Sequence, residues 1–257
     1  MSLTRLALRF AAPLPRVEAF ERYLFLGPHP DDIEIGAGAT AAKLIAAGKQ
    51  VTFLICTDGR YGLEHAPEGT TPEELIGLRQ AEAVASAKAL GVIDVRFLDF
   101  SDGGFYDFDD LVKAAARVVG EVQPQVILAP DPDVISECHV DHRNAGEAAR
   151  RLAFFAPYAE IMARYGAQCA PVQALAFYMT ARPDRFVKTS RALLMRQRAA
   201  ILCHRTQFPE GSEAFRSVSL YLKLRAADFG LRSLRLPAEG FRVLGATHMH
   251  CLPEEGL

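Results

Sequence analysis

Short apolar runs alternating with longer helix-like segments constrain this chain more than any other feature. Tyr23 to Leu26 reads as a first buried strand, and Ala39 to Ala47 as a helix stopped by Gly48. Val51 to Cys56 reads as a second strand, which completes one βαβ unit. Thr71, Pro72 and Glu74 have the spacing of a capping box and predict a helix running to Gly91. Val95 to Leu98 and Val126 to Ala129 read as two more strands, with helices over Leu111 to Val122 and Asp141 to Phe155. Beyond Pro157 the pattern is weaker. Val172 to Thr180 reads as a strand, Ser190 to His204 and Glu213 to Asp228 as helices, and Phe241 to Leu244 as an edge strand. The pattern predicts an α/β, Rossmann-like fold, mostly parallel, with helices on both faces.

A chain of 257 residues can bury a substantial core as one domain. No Gly/Ser linker marks a second one, so a single domain with a less regular C-terminal portion is expected over 21–257, after an extension over 1–20. The net charge of -2 and the scattered Lys and Arg offer no basic track for a nucleic acid. No stretch approaches the roughly 20 apolar residues of a membrane span. Arg5 and Arg9 interrupt any signal-peptide core, so a cytoplasmic protein is expected. Cys56, Cys138, Cys169, Cys203 and Cys251 are odd in number and never form C-x-x-C, so most read as small buried hydrophobes.

Two clusters carry chemistry. Pro28-His29-Pro30-Asp31-Asp32 follows the first strand, at the edge where α/β sheets collect ligands. His29 and Asp32 offer a nitrogen and an oxygen ligand on one turn, while Asp31 can point elsewhere. Read alone, the stretch is equally a turn whose Asp32 caps the next helix. His139-Val140-Asp141-His142 follows the fourth strand and should reach the same edge. Two His and one Asp leave a zinc position open for water, as in a catalytic site. Asp31 could then take a proton during attack, and His139, if not a ligand, could donate to an oxyanion. A rival reading takes Gly36-Ala37-Gly38-Ala39-Thr40-Ala41 as a dinucleotide-binding G-x-G-x-x-A with Asp58 on the ribose. The acids Asp31, Asp32 and Glu34 crowd that helix entrance, where a pyrophosphate needs positive potential. A third is a metal-binding relative without catalysis.

At these two clusters the chain resembles the LmbE-like or PIG-L family of zinc N-deacetylases, marked by HPDD after the first strand and a later H-x-D-H. The likeness is close over about 22–150 and looser beyond, where Ala238-Glu239-Gly240-Phe241 is similar to the family's late Glu motif. It implies His29, Asp32 and His142 as ligands of one Zn2+ or another divalent ion. It further implies Asp31 as base, His139 as the oxyanion or acid histidine, and Asp141 orienting an imidazole. Leu78-Arg79-Gln80-Ala81-Glu82 is similar to the family's LRxxE stretch and implies Arg79 as a substrate contact. The plain alternative is a surface pair of Arg79 with Glu82. His204 and Gln207 match a late pattern only faintly and read as helix-end residues. Val140 in place of a usual proline, and Thr57-Asp58-Gly59-Arg60 in place of a Gly-Glu pattern, leave the substrate open. The resemblance implies N-acetyl hydrolysis on an N-acetylglucosamine-type small molecule, in a homo-oligomer, trimeric or hexameric.

Overall fold

In a computed structural model describing residues 8, 10–250 and 252, seven strands form one sheet in the order β3-β2-β1-β4-β5-β7-β6. The strands are β1 (Arg22–Gly27), β2 (Gln50–Thr57), β3 (Asp94–Phe100), β4 (Val126–Pro130), β5 (Ala174–Tyr178), β6 (Arg185–Lys188) and β7 (Ala238–Gly245). The first five run parallel, while β7 lies antiparallel to both β5 and β6. Helices α1 (Asp32–Ala46), α2 (Pro72–Leu90) and α6 (Arg191–Ile201) cover one face. Helices α3 (Phe108–Val122) and α4 (Val140–Phe155) cover the other, and α5 (Ala159–Arg164) and α7 (Glu213–Ser233) complete the set.

The alternation within β1 shows why both faces close. Tyr23 and Phe25 join the core beneath α1 and α2, while Leu24 and Leu26 join the core beneath α3 and α4. All four are fully buried, so burying either face alone would leave two large side chains wet. The predicted capping box forms as read. Glu74 N donates to Thr71 Oγ1 at 3.2 Å and Thr71 N to Glu74 Oε2 at 2.9 Å, and Gly91 ends the helix at φ +87°.

The structure departs from the sequence reading at four places. The helical run starts at Asp32, seven residues before Ala39, but it breaks at Ala37 (φ -153°, ψ 19°), so the expected helix is its second segment and the turn before it was not foreseen. The strand around Phe241 is not at the edge: β6, four residues with charged ends, pairs outside it. The short α5 carried too little periodicity to be read. Of the cysteines, Cys56 is buried, Cys203 is partly covered, and Cys138 and Cys169 are exposed; Cys251 lies outside the described residues.

The chain winds β1 to β2 to β3 in one direction and then returns to lay β4 on the other side of β1. That reversal opens a crevice at the carboxyl ends of β1 and β4, the place where open α/β sheets bind ligands. Of the expected N-terminal extension, residues 1–7 and 9 lie outside the described residues. Val17 is buried, and Ala12 and Leu14 accept hydrogen bonds from His248 and Arg185. Among the described residues, no helix is long and apolar enough to cross a membrane.

Candidate active site

The turn after β1 is clamped to the end of β2, because Thr57 donates to the Pro28 carbonyl through both N (2.9 Å) and Oγ1 (2.7 Å). Asp31 then adopts φ +121°, a region costly for a residue with a Cβ. Its side chain makes no cap bond to α1, and Asp32 is the first residue inside that helix. The plain turn with a capping Asp32 is therefore not what forms. The strained backbone instead sends the two adjacent carboxylates to different partners.

Asp32 Oδ2 is 3.1 Å from His29 Nδ1 and 3.3 Å from His142 Nε2. The ligand atoms of His29, Asp32 and His142 all lie within 4.8 Å of one another, a spacing one divalent ion can bridge. Two imidazole nitrogens facing one buried carboxylate oxygen are a borderline donor set that suits zinc or iron. His29, His139 and Asp141 also converge within that span. Both Asp141 oxygens are already spent, however, which favours the first group.

Asp141 Oδ2 accepts from Gly103 N at 2.7 Å, and Oδ1 from Gly104 N at 3.0 Å and Tyr106 Oη at 2.8 Å. Its Oδ2 also lies 3.2 Å from His29 Nε2, so this buried carboxylate orients the imidazole that faces Asp32. Burial opposes ionisation of Asp141, yet His29, Tyr106 and Gly103 outweigh it and hold the carboxyl down at about 2. Burial likewise disfavours a charged His29, but Asp141 and Asp32 push it up to about 10. Burial acts against the charge on Asp32 too, and His142 and His29 nonetheless hold it well below the carboxylate range.

His139 is the N-cap of α4, and its Nδ1 accepts from Asp141 N at 3.3 Å. That bond places the ring proton on Nε2. Burial and the neighbouring His29 and His142 lower its pKa, which favours the neutral imidazole. Glu137 Oε2 stands 3.1 Å from His142 Nδ1, though outside hydrogen-bond geometry.

Arg79 is buried, and the surface pair with Glu82 does not form. Its guanidinium donates to Asp31 Oδ2 (2.9 Å), Pro30 O (2.6 Å) and Gly59 O (3.0 Å), while Glu82 binds Thr206. Burial pushes Asp31 up to about 6 despite the adjacent Arg79. Sequence reasoning passed over Asp102, whose buried Oδ1 has no partner; its place at the end of β3 in a Gly-rich loop was the available signal. It also treated His204 as a helix-end residue. The ring does follow α6, but it is fully buried 3.5 Å from Glu34.

The dinucleotide reading is overturned. Gly36 and Gly38 lie inside α1 rather than in the strand-to-helix turn, and a Cβ on Gly36 would come 2.1 Å from the Tyr178 ring. Close packing accounts for both glycines. Asp58 is engaged by Arg60 through Nε at 2.9 Å and Nη2 at 2.6 Å.

The chain belongs to the PIG-L (LmbE-like) family, GlcNAc-PI de-N-acetylase, whose pattern residues 24–153 match. The chain is 32% identical over 238 residues, 91% of its length and 86% of the relative's, to a diacetylchitobiose deacetylase of Thermococcus kodakarensis. A 1D-myo-inositol 2-acetamido-2-deoxy-alpha-D-glucopyranoside deacetylase of Geodermatophilus obscurus is 37% identical over 153 residues, 51% of this chain and 52% of that one. The N,N'-diacetylchitobiose deacetylase of Pyrococcus horikoshii, solved with its inhibitor MPG, superposes with a TM-score of 0.86 at 26% identity, covering 98% of this chain and 97% of that one.

Proposed function

We propose that this protein, through residues 21–257, removes an N-acetyl group from an N-acetylglucosamine-type small molecule by metal-assisted hydrolysis. The observation that carries the reading is the convergence of His29, Asp32 and His142 beside an Asp31 that Arg79 draws to a separate position. The names of the three relatives given above, each a deacetylase of an amino-sugar compound, support the substrate class.

His29, Asp32 and His142 would hold one divalent ion, zinc in this reading, which when bound supplies the Lewis acidity that brings the pKa of a water toward about 7. Asp31 takes the proton of the attacking water as its oxygen adds to the amide carbonyl carbon. His139 donates its Nε2 proton as a hydrogen bond to the oxyanion that develops. The C–N bond then breaks, the amine leaves with the proton Asp31 has taken, and acetate is released. Arg79 holds Asp31 in place, and in this reading it also contacts the substrate. The unpartnered Oδ1 of Asp102 is suited to accept from a sugar hydroxyl at the same mouth.

In this reading the enzyme is a cytoplasmic homo-oligomer, a trimer or hexamer. A panel of N-acetylated amino sugars, assayed for acetate with and without a chelator, tests it. Chelator-sensitive acetate release is expected; release from none of the sugars would remove it.

A further inference from the structure

We propose that Tyr61 and Phe105, with Val140 beside them, form an apolar shelf that receives the half of the substrate that is not deacetylated, a glycosidically linked ring with an exposed C–H or aromatic face. The inference rests on the deacetylase reading above and names the part of the substrate that reading leaves open.

Tyr61 comes from the loop after β2 and Phe105 from the loop after β3. Their rings meet edge to face, with centroids 6.1 Å apart and planes at 81°. Both remain turned to solvent, Tyr61 at 54% and Phe105 at 72% of full exposure. Two large aromatic rings from separate loops, held together and left wet, form the kind of patch that a ligand covers.

The patch is continuous with the catalytic crevice. Tyr61 N approaches Asp102 Oδ2 at 3.4 Å, so the shelf begins beside the buried acceptor whose other oxygen has no partner. Phe105 folds back over Gly103, where an added Cβ would lie 2.9 Å from its ring. Gly103 N in turn donates to Asp141, which orients His29. A Cβ on Gly104 would come 2.7 Å from Val140, the residue between His139 and Asp141, and Val140 is itself exposed.

The loops are fixed on the protein side. Gly59 O accepts from Arg79 and Gly62 O accepts from Gln207 Nε2 at 2.6 Å, bracketing Tyr61. A shelf whose backbone is already held loses little freedom when a ring settles on it, so the apolar burial is retained as affinity. Val140 fits this role, since it presents methyl groups from the first residue of α4, against the loop that carries Phe105.

The test compares acetate release from the methyl glycoside of N-acetylglucosamine, its phenyl glycoside and N,N'-diacetylchitobiose, using wild type, Tyr61→Ala, Phe105→Ala and the conservative Tyr61→Phe. The native enzyme is expected to favour the two ring-bearing substrates over the methyl glycoside about tenfold in kcat/KM. Each alanine variant should reduce that preference at least fivefold, mainly through KM, and Tyr61→Phe should keep it. Unfolding midpoints confirm that each variant is folded. Acetate from no substrate would sink the deacetylase reading itself. Acetate from all three with an unchanged preference in both alanine variants would overturn the shelf alone. The same unchanged preference with a smaller solution mass would assign the pair to a contact between copies of the chain, and would overturn it too.

Discussion

Arg79 Nη2 and Asp31 Oδ2 form a buried ion pair at 2.9 Å, next to but separate from the group that could hold a metal. Removing one member of such a pair strands the other charge. Arg79→Ala should therefore lower kcat roughly 100-fold, the equivalent of about 3 kcal/mol. Arg79→Lys should recover only part of this, because one ammonium cannot reach Asp31, Pro30 and Gly59 together. Steady-state kinetics separates the roles. A change confined to KM would place the guanidinium on the substrate instead.

Base and ligand should come apart on substitution. Asp31→Asn is expected to keep its bound metal and lose about 10²-fold to 10⁴-fold in turnover. His142→Ala should lose the metal together with activity, and chelation of the native protein should do the same until zinc is restored. Metal content after gel filtration, measured beside acetate release, checks all three. Undiminished turnover in Asp31→Asn would dismiss it as the base.

Glu239 gives a stability prediction with a definite sign. Burial pushes its carboxyl up to about 7, against the opposing hydrogen bonds from Thr40, Ala39 and Gln197. The folded state thus binds the proton more tightly than the unfolded chain, whose value is 4.5. Its stabilising contribution is complete below 4.5 and is lost as pH rises through about 7. The urea midpoint should fall between pH 5 and 8, and the fall should be shallower in Glu239→Gln. An equal slope in the two proteins would exclude Glu239 as its source.

Gly36→Ala should destabilise the fold by about 3 kcal/mol, the upper part of the usual cost of overpacking. The Tyr178 ring that a methyl would strike is pinned, since its hydroxyl donates to Leu26 O at 2.7 Å. Chemical denaturation measures the loss. A neutral substitution would mean that α1 and β5 can separate.

The parts of the molecule legible in the sequence are those written in local pattern. Strands β1, β2 and β4 are buried on both faces, so their apolar runs stand out, and the Thr71 box declares its helix within four residues. Both clusters announced themselves because ligand types sat together, and the crevice at β1 and β4 brought them into one place. What was hidden depends on distant partners. Nothing local marks Arg79 as buried, because its acceptors lie 20 to 49 residues away. The four residues of β6 become a strand only by pairing with β7, some fifty residues later. Asp102 and His204 draw their interest from what surrounds them in space, which no window of sequence contains.

The bonds from Gly103, Gly104 and Tyr106 to Asp141 join the loop after β3 to the setting of His29 through a single carboxylate. A drifting sequence is therefore free to reshape the rim at Phe105, whose side chain lies outside that knot. A residue with a bulky side chain in place of Gly103 or Gly104 would instead tilt His29, so altered substrate choice arising there would come with a disturbed His29, Asp32 and His142 group.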